Sequence, residues 1–261
     1  MSKRKTLSVV LITLNEAALL SDCLMSVNWA DEIIVLDSGS HDETCHIAKR
    51  MGAQVFQITD WQGFGIQRQR AQSLACSDYI LMIDADERVT PLLRNSIQQV
   101  LQQPIIDGVV YSCLRCNYFL GRFIRYGGWY PDRVIRLYER KHYHYNVQQV
   151  HESLSTVDHP NIVTLQGDLQ HFTGYDFITF QKKQLKYAKC WAQEHDQVGF
   201  TCSLFAVICR TYGAFINTWI LRAGFLEGSH GWLLAMINAQ YTFNKYATLW
   251  SLNYTRKRKN I

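Results

Sequence analysis

The chain has 261 residues, of which 48% are hydrophobic and 13% aromatic, so it is long and apolar enough to fold around a sizeable core and is not disordered. Its formal net charge of +5 is a mild excess that suits anionic substrates or an anionic membrane surface. No nucleic-acid-binding motif accompanies this charge, so we expect no nucleic-acid partner.

The first hundred residues alternate strand-like and helix-like patterns, which predicts an α/β fold with a mostly parallel central sheet. The expected strands are Leu7–Thr13, Glu32–Asp37, Ala53–Gln57 and Tyr79–Asp84. The expected helices are Ala17–Val27, Asp42–Met51, Gly63–Ala75 and Pro91–Leu101. Ser40 or Asp42 is expected to cap the second helix, and Thr90 to cap the helix that Pro91 opens.

The N-terminus and the cysteines both bear on location. The basic residues Lys3, Arg4 and Lys5 precede the apolar run Leu7–Leu14, but that run is too short and too polar for a signal peptide and predicts a buried strand.

Cys113 and Cys116 form the only CxxC pair among eight scattered cysteines, with no second pair at a zinc-site spacing. Free thiols of this kind favour a cytoplasmic protein.

The fourth predicted strand ends in two carboxylates, Asp84 and Asp86, separated by one residue. Side chains at positions i and i+2 of a strand project to the same side. Two carboxylates at a strand end suit a divalent cation, Mg²⁺ or Mn²⁺, that takes its other ligands from water and substrate phosphates. By itself the pattern is weak, because such pairs also arise in solvated turns.

Three further features lie where a nucleotide-binding sheet would place them. The first strand ends at Thr13 and leads into Asn15 and Glu16, and the second ends in Asp37 and Ser38. The third helix carries Gln67, Arg68 and Arg70. Carboxylates at neighbouring strand ends can accept hydrogen bonds from a base and from ribose hydroxyls, and an arginine can offset the charge of a diphosphate.

The second half of the chain changes in character twice. Short strand-like pieces (Val109–Cys113, Val134–Tyr138 and Val163–Leu165) stand among glycine, aromatic and arginine residues. Beyond Tyr175 helical patterns dominate, including one long apolar stripe: Trp232, Met236, Ala239, Phe243, Tyr246 and Trp250.

The segment Ser203–Leu221 is apolar enough to raise the question of a transmembrane helix, although Arg210 and Asn217 argue against it. A helix lying on the bilayer or packed on its neighbours fits better. The basic residues Arg256–Lys259 and the lysines near Lys186 suit an anionic lipid surface, while a solvated charged face is the plainer interpretation.

These motifs together resemble the inverting glycosyltransferases of family 2, which have the GT-A fold. The similarity is greatest to the bacterial enzymes that add β-glucose to the first heptose of the lipopolysaccharide inner core. The resemblance covers nearly the whole chain, and its most selective parts are Gly127–Asp132 and Val150–Glu152. It also includes Ser8–Glu16, Ile33–Thr44, Gly63–Ala71, Ile80–Glu87, Arg136–Tyr138, His171–Thr173 and Gly224–Gly228. This chain departs from many relatives at Gln67–Arg70, where they carry an Arg-Asn pair, and at Glu227, where they carry Asp.

The resemblance implies a catalytic domain in residues 1–172, with a nucleotide-sugar-binding part (1–104) and an acceptor-binding part (105–172), followed by a helical region (173–261) that is a candidate for membrane association. Nucleotide-sugar binding is expected of Thr13, Asn15, Glu16, Asp37, Ser38, Gln67, Arg70, Asp84 and Ala85. Acceptor binding is expected of Trp129, Tyr130 and Arg136, although packing of the aromatics and ion pairs of Arg136 with Asp132 or Glu139 are alternatives.

The resemblance also implies the chemistry. Asp86 and His171 are expected to hold a divalent cation that offsets the charge growing on the departing diphosphate. An arginine in place of His171, with His171 an ordinary strand-end histidine, is the alternative. Glu152 is expected to act as the general base that takes the proton of the acceptor hydroxyl, a role worth ~10²–10⁴ in rate. A single in-line displacement then inverts the configuration of the sugar.

The expected function is transfer of a hexose, glucose from UDP-glucose, to a heptose of the lipid A–core saccharide in β linkage. The expected location is cytoplasmic, on the inner face of the cytoplasmic membrane. Alternatives are the same fold with another nucleotide-sugar, the same fold with a capsule or polyprenyl-linked acceptor, or a protein that binds nucleotide-sugars without catalysis. A nucleotidyltransferase is disfavoured, because no glycine-rich phosphate loop follows the first strand.

Overall fold

The computed structural model describes residues 4–146, 154–155, 160–174 and 177–259. The chain forms two compact units. The first contains the chain up to Arg115 together with Asp132–His171, and the second contains Cys116–Pro131 together with the chain from Phe172 onward.

Strands and helices alternate through the first hundred residues, as the sequence predicts. The elements are β1 (Leu7–Thr13), α1 (Ala17–Ser26), β2 (Glu32–Asp37), α2 (Thr44–Arg50), β3 (Gln54–Gln57), α3 (Phe64–Ser73), β4 (Tyr79–Met82), β5 (Glu87–Val89) and α4 (Pro91–Leu101). The strands that follow are β6 (Val109–Phe119), β7 (Arg122–Phe123), β8 (Asp132–Glu139), β9 (His144–Tyr145), β10 (Leu154–Ser155) and β11 (Asn161–Gly174).

The main sheet is mixed. β1 pairs in parallel with β2 and β4, and β2 pairs in parallel with β3. β8 pairs antiparallel with β4 and β6, and β11 pairs antiparallel with β5. The order is β3-β2-β1-β4-β8-β6-β11-β5, and β9 pairs with β10 outside it. The α/β fold of the GT-A type is confirmed, with the parallel part confined to β3, β2, β1 and β4.

The central strands are buried on both faces, which explains why β1 and β4 read as continuous apolar runs. Val9 and Leu11 of β1 face a cluster that includes α1 and α4. Val10, one position out of phase, faces a second cluster with Ala71 and Ala75 from the region of α3. Because these parallel strands are fixed in register by two layers of packing, their C-terminal ends lie side by side at one edge of the sheet.

The two predicted helix caps have different outcomes: α4 is capped as predicted, whereas α2 begins at Thr44 after Glu43 and has no side-chain cap, so neither Ser40 nor Asp42 caps it. α4 begins at Pro91 after Thr90, whose hydroxyl accepts a hydrogen bond from the amide of Leu93 at 3.4 Å. The carboxylate of Asp42 accepts from the amide of Thr44 at 3.1 Å, at the start of α2. β4 differs from the prediction, because it ends at Met82 and places Asp84 and Asp86 in the turn that leads to β5.

The second unit is mainly helical. It contains α5 (Phe177–Gln197), α6 (Leu204–Ile216), a π-helical turn (Asn217–Leu221), a 3₁₀ turn (Gly224–Glu227) and α7 (Ser229–Lys259). Its buried cluster joins Phe119 and Ile124 to residues of α5 and α7: Phe180, Leu234 and Ile237.

The predicted apolar stripe of α7 is only partly buried. Ala239 of the stripe is buried, but Trp232, Met236 and Phe243 are exposed, whereas Leu234 and Leu249 outside the stripe are buried. α7 carries apolar residues on more than one side, so the spacing of large side chains does not identify the face that packs.

A buried carboxylate organises the segment before Pro131 in the second unit. Glu227 accepts hydrogen bonds from the Arg122 guanidinium (2.6 Å) and from the amides of Arg125 (2.6 Å) and Tyr126 (3.0 Å). The carboxylate is therefore satisfied although it is only 3% exposed. This gives Glu227, noted above as a departure from many relatives, a structural role.

Candidate active site

The ends of β1 and β2 are joined through the carboxylate of Asp37, which is fully buried. It accepts hydrogen bonds from the hydroxyl and amide of Ser40 (2.5 and 2.8 Å) and from the amide of Gly39 (3.0 Å). The hydroxyl of Thr13 is 3.2 Å away. Burial raises the pKa of Asp37, but the hydrogen bonds from Ser40 and Gly39 outweigh it and lower the pKa below the ordinary value. Asp37 is thus a fixed anion at the strand end.

The residues after β1 are tied to the loop after β2. Asn15 has a left-handed backbone (φ 56°), a conformation that Asn tolerates better than most residues. Its amide donates to the Ser40 hydroxyl at 2.8 Å, and its side-chain oxygen accepts from the amide of His41 at 2.9 Å. The amide of Glu16 donates to the hydroxyl of Thr44 at 2.8 Å. The structure therefore brings the predicted nucleotide-binding residues Asn15, Glu16 and Asp37 together.

α3 supplies two of the predicted residues in different environments. The buried amide of Gln67 donates to the hydroxyl of Ser38 at 3.0 Å, so these two predicted residues meet. The guanidinium of Arg70 instead donates to the carbonyl (2.6 Å) and the carboxylate (3.1 Å) of Asp60, in an exposed pair. The role of Arg70 in nucleotide binding stays a prediction.

Asp84 bridges two arginines. Nη2 of Arg68 lies 2.7 Å from one of its carboxylate oxygens, and Nη2 of Arg136 lies 2.7 Å from the other. Burial raises the pKa of Asp84, but the charges of Arg68 and Arg136 outweigh it and hold the pKa well below the ordinary value. The carboxylate is therefore ionised at neutral pH and links α3 to β8.

The network continues through Glu87, which is fully buried at the start of β5. Its carboxylate lies 2.5 Å from Nη2 of Arg136 and accepts from the amide of Asp84 at 3.0 Å. Arg115 lies 3.7 Å from Glu87 and pairs with Asp132 at 2.7 Å. Arg136, predicted to bind the acceptor, is thus buried and has two carboxylate partners, neither of them Asp132 or Glu139. Its role toward the acceptor stays a prediction.

The two predicted metal ligands lie together. Oδ2 of Asp86 is 3.3 Å from Nε2 of His171, and both side chains are partly exposed. Ala85 between the two aspartates is buried and fixes the turn. An octahedral cation with bonds of about 2.1 Å holds adjacent ligand atoms about 3 Å apart. The pair therefore fits one divalent cation, and a carboxylate with an imidazole suits Mn²⁺ better than Mg²⁺.

The predicted acceptor-binding aromatics belong to the second unit. Trp129 packs against the rings of Phe119 (5.4 Å) and Phe180 (6.1 Å), and the guanidinium of Arg125 lies 4.4 Å from the ring centre of Tyr130. These contacts match the alternative that the aromatics serve packing. The acceptor role of Trp129 and Tyr130 stays a prediction, and Glu152, the predicted base, lies outside the described residues.

Sequence reasoning missed two central residues of this network. Arg68, rather than Arg70, reaches Asp84, and Glu87 anchors Arg136. One signal pointed to Arg68: it precedes Ala71 by three positions and Ala75 by seven, so it shares the face of α3 that packs on the sheet. Arg70, two positions on, pairs with Asp60 and donates to the side-chain oxygen of Gln67 at 3.3 Å instead.

A second group of potential metal ligands occurs among the described residues. Atoms of Asp107, Glu139 and His142 lie within 4.8 Å of one another. The imidazole of His142 is 2.7 Å from the carboxylate of Glu139, which explains the grouping without a cation. Asp107 and His142 are exposed, so this group offers a control for the pair formed by Asp86 and His171.

Comparison with known proteins assigns the family. The model for glycosyl transferase family 2 matches residues 8–172, which include every strand-end residue of the site. The chain belongs to glycosyl transferase family 2. It is therefore an enzyme that transfers a sugar, as the resemblance implied.

Several relatives match over most of their length. An uncharacterised glycosyltransferase of Rickettsia prowazekii is 29% identical over 95% of this chain and 88% of its own. The lipopolysaccharide core biosynthesis glycosyltransferase LpsC of Rhizobium meliloti is 27% identical over 98% of this chain and 96% of its own. Among solved structures, glucosyl-3-phosphoglycerate synthase of Mycobacterium tuberculosis aligns with 44% of both chains at 29% identity, with a TM-score of 0.35.

Proposed function

We propose that this glycosyltransferase moves glucose from UDP-glucose to a heptose of the lipopolysaccharide inner core, in β linkage and with inversion. The observation that carries the proposal is the pairing of Asp86, in the turn that also holds Asp84, with His171, at the sheet edge where β2 ends in the buried carboxylate of Asp37. This arrangement offers a cation site next to acceptors for a base and a ribose, as transfer from a nucleotide-sugar requires.

The donor would lie along the strand ends. Asp37 is a fixed hydrogen-bond acceptor, and Asn15, Glu16, Ser38 and Gln67 surround it at the ends of β1 and β2. These are the group types that bind a uracil and ribose hydroxyls. Asp84 would accept from the donor on the other side, in competition with Arg68 and Arg136.

Asp86 and His171 would hold a divalent cation, Mn²⁺ or Mg²⁺. The cation would offset the negative charge that builds on the diphosphate as it leaves. The protein's own contribution is to fix the two ligands on β11 and the β4–β5 turn, so that little reorganisation is needed when the donor binds. Glu152 is proposed as the group that takes the acceptor proton.

The acceptor assignment draws on the relatives. LpsC is named as a lipopolysaccharide core enzyme and matches this chain nearly from end to end, which supports a core saccharide as acceptor. Such an acceptor is carried by lipid A, and we therefore place the enzyme in the cytoplasm at the inner face of the cytoplasmic membrane.

The test is a panel of nucleotide-sugars with Mn²⁺ or Mg²⁺ and a heptose-terminated core saccharide. Released nucleotide and product mass are both measured, and NMR of the product gives the anomeric configuration. We expect transfer from UDP-glucose and a β-linked product. Absence of transfer and of hydrolysis with every donor would contradict the proposal, and transfer from another donor or to another acceptor would favour the rival substrates.

Glu152→Gln separates binding from chemistry in the same assay. The amide keeps the size of the side chain but cannot take a proton, so transfer is expected to fall by ~10²–10⁴ while UDP-glucose affinity is unchanged. Glu43→Gln, at an exposed position before α2, is the matched control and should behave as the wild type. A near-normal rate for Glu152→Gln would show that another group is the base.

A further inference from the structure

The second unit has an apolar helical surface that its own helices leave uncovered. Leu204–Leu221, which comprises α6 and the π-helical turn, is 18 residues long with a mean hydropathy of 1.4, yet only 11% of it is buried. By length and composition this segment could cross a membrane. Its packing against α7 indicates a different arrangement.

Most of the exposed large apolar residues of this segment follow a spacing of four. Every fourth position carries a large apolar side chain between 46% and 67% exposed: Leu204, Ile208, Tyr212, Ile216 and Ile220. Residues four apart lie above one another on a helix, so these five form a continuous stripe. Phe205 and Leu221 flank it and are 76% and 75% exposed. We call these seven residues the α6 stripe.

The single charge of α6 is directed away from the stripe. Arg210 is two positions from both Ile208 and Tyr212, which places it about 160° around the helix from each. Its guanidinium donates to the hydroxyl of Tyr246 at 3.1 Å and lies 4.6 Å from the centre of that ring. No residue of the α6 stripe is therefore charged, and the guanidinium of Arg210 is held against Tyr246 of α7.

α6 is tied to α7 at both ends. The amide of Cys202 donates to Asn253 at 3.1 Å, and the hydroxyl of Thr218 accepts from Asn238 at 2.7 Å. The two helices therefore run antiparallel, with polar bonds at each end. A crossing α6 would break these bonds in a medium that supplies no replacement. The segment is instead suited to lie in the plane of an interface, with the stripe on its free face.

The charge of the chain is concentrated around this helix. Residues 197–261 contain seven lysines and arginines and one acidic residue, Glu227, whereas residues 1–196 contain 20 basic and 21 acidic residues. Glu227 is buried and paired with Arg122, so it presents no negative charge to a partner. Arg256 pairs with Asp196, so it adds no net charge there. Residues 228–261 nevertheless contain five basic and no acidic residues, an excess that is complementary to anionic lipid headgroups above an acyl layer. A second copy of the chain would bring like charges together.

We propose that the α6 stripe docks in the plane of an anionic phospholipid bilayer, with its apolar side chains at the acyl boundary and the basic residues of α7 at the headgroups. This surface gives a structural basis for the membrane location proposed above, on which it rests, and docking does not depend on which sugar is transferred.

Sedimentation with lipid vesicles tests the surface directly. We expect the full chain to bind vesicles of phosphatidylcholine with phosphatidylglycerol at low salt, and to bind pure phosphatidylcholine weakly. Phe205→Ser, Ile208→Ser and Tyr212→Ser together should reduce binding by about tenfold or more. Neutralising Arg256–Lys259 should reduce it by more than about tenfold, and high salt should do the same to the wild type.

Matched control variants show whether vesicle binding depends on the α6 stripe or on exposed apolar side chains in general. Met25→Ser with Leu92→Ser removes two equally exposed apolar residues from the first unit and should leave vesicle binding unchanged. Circular dichroism of each variant shows that it is folded. Retention of full binding by the stripe variant would overturn the proposal. So would a wild-type dimer in solution that the stripe variant converts to a monomer, because a second copy would then cover this face.

A fluorescent label gives a site-specific test. Cys209 is exposed one turn after Phe205, and Cys76 is exposed in the first unit. With the other exposed cysteines replaced by Ser, a polarity-sensitive label on Cys209 should shift to the blue on addition of anionic vesicles, whereas the same label on Cys76 should not. No shift at Cys209, or equal shifts at both positions, contradicts docking through α6.

Discussion

Nε2 of His171 lies 3.3 Å from Oδ2 of Asp86, so a residue from β11 meets the turn between β4 and β5. The contact depends on strand pairing, because β11 runs antiparallel to β5 with His171 opposite Glu87. Backbone hydrogen bonds therefore fix the imidazole, and the buried Ala85 fixes the carboxylate. The two proposed metal ligands are therefore brought together by the fold itself.

Asp86→Asn should abolish most metal-dependent transfer. An amide is a weaker ligand than a carboxylate, so we expect sugar transfer to fall by ~10²–10³ and the affinity for Mn²⁺, measured by titration calorimetry, to fall with it. Asp107→Asn changes the other group of potential ligands and should alter neither quantity. Activity retained by Asp86→Asn at saturating Mn²⁺ would remove this residue from the metal site.

Glu87→Gln should destabilise the first unit. The substitution leaves the buried guanidinium of Arg136 with an incomplete set of partners, a loss of about 3 kcal/mol in the free energy of unfolding. Asp60→Asn breaks the exposed ion pair with Arg70 and should cost less than about 1 kcal/mol. Urea denaturation measures the free energy of unfolding of both variants. Equal losses would show that burial does not determine how much an ion pair contributes to stability.

Asp37 should make stability depend on pH in the acid range. Its pKa is lower in the folded chain than in the unfolded chain, so the unfolded state binds more protons as the pH falls. The stabilisation is fully present above a pH of about 4, the unfolded pKa, and is lost as the pH falls through the folded pKa. Asp37→Asn should therefore be less stable than the wild type by about 2 kcal/mol at neutral pH, with a smaller difference at acid pH. Denaturant unfolding curves of both proteins, measured from neutral to acid pH, test this expectation. A stability difference that does not change with pH contradicts it.

Gly167→Ala tests a close backbone approach between β11 and the start of α4. Gly167 has φ +94°, and an added Cβ would lie 2.3 Å from the amide nitrogen of Leu93. Gly52 has a similar φ of +85° with no atom within 4 Å of an added Cβ. We expect Gly52→Ala to cost about 1 kcal/mol from backbone strain alone and Gly167→Ala to cost about 1–3 kcal/mol more. Thermal or urea unfolding measures the difference, and equal losses would show that the chain relaxes around position 167.

The sequence predicted the structure well where local sequence signals and tertiary packing favour the same helix or strand. Thr90 and Pro91 specify the start of α4, and the apolar runs of β1 and β4 specify buried strands. β11 was underestimated, because Gln166, Gly167 and Asp168 interrupt the apolar pattern of a strand that continues through pairing with its neighbours. Pairing between distant segments leaves no local signature.

The sequence indicated which residues lie near one another at the candidate site better than it indicated which side chains pair. Asp37, Gln67 with Ser38, and Asp86 with His171 come together as expected. The choice between Arg68 and Arg70 depends on the rotation of α3 about its axis, and α3 buries mostly polar or small residues, so the spacing of Arg68 from Ala71 and Ala75 is the main guide to the packed face.

The two aspartates of the β4–β5 turn differ in what a substitution there would change. Asp84 pairs with two buried guanidinium groups, so replacing it lowers the stability of the fold whatever its effect on catalysis. Asp86 has a partly exposed side chain beside a single imidazole, so replacing it leaves the framework in place. Of the two proposed metal ligands and their neighbours, Asp86 is therefore the position at which a substitution reports on metal preference with least disturbance of the fold.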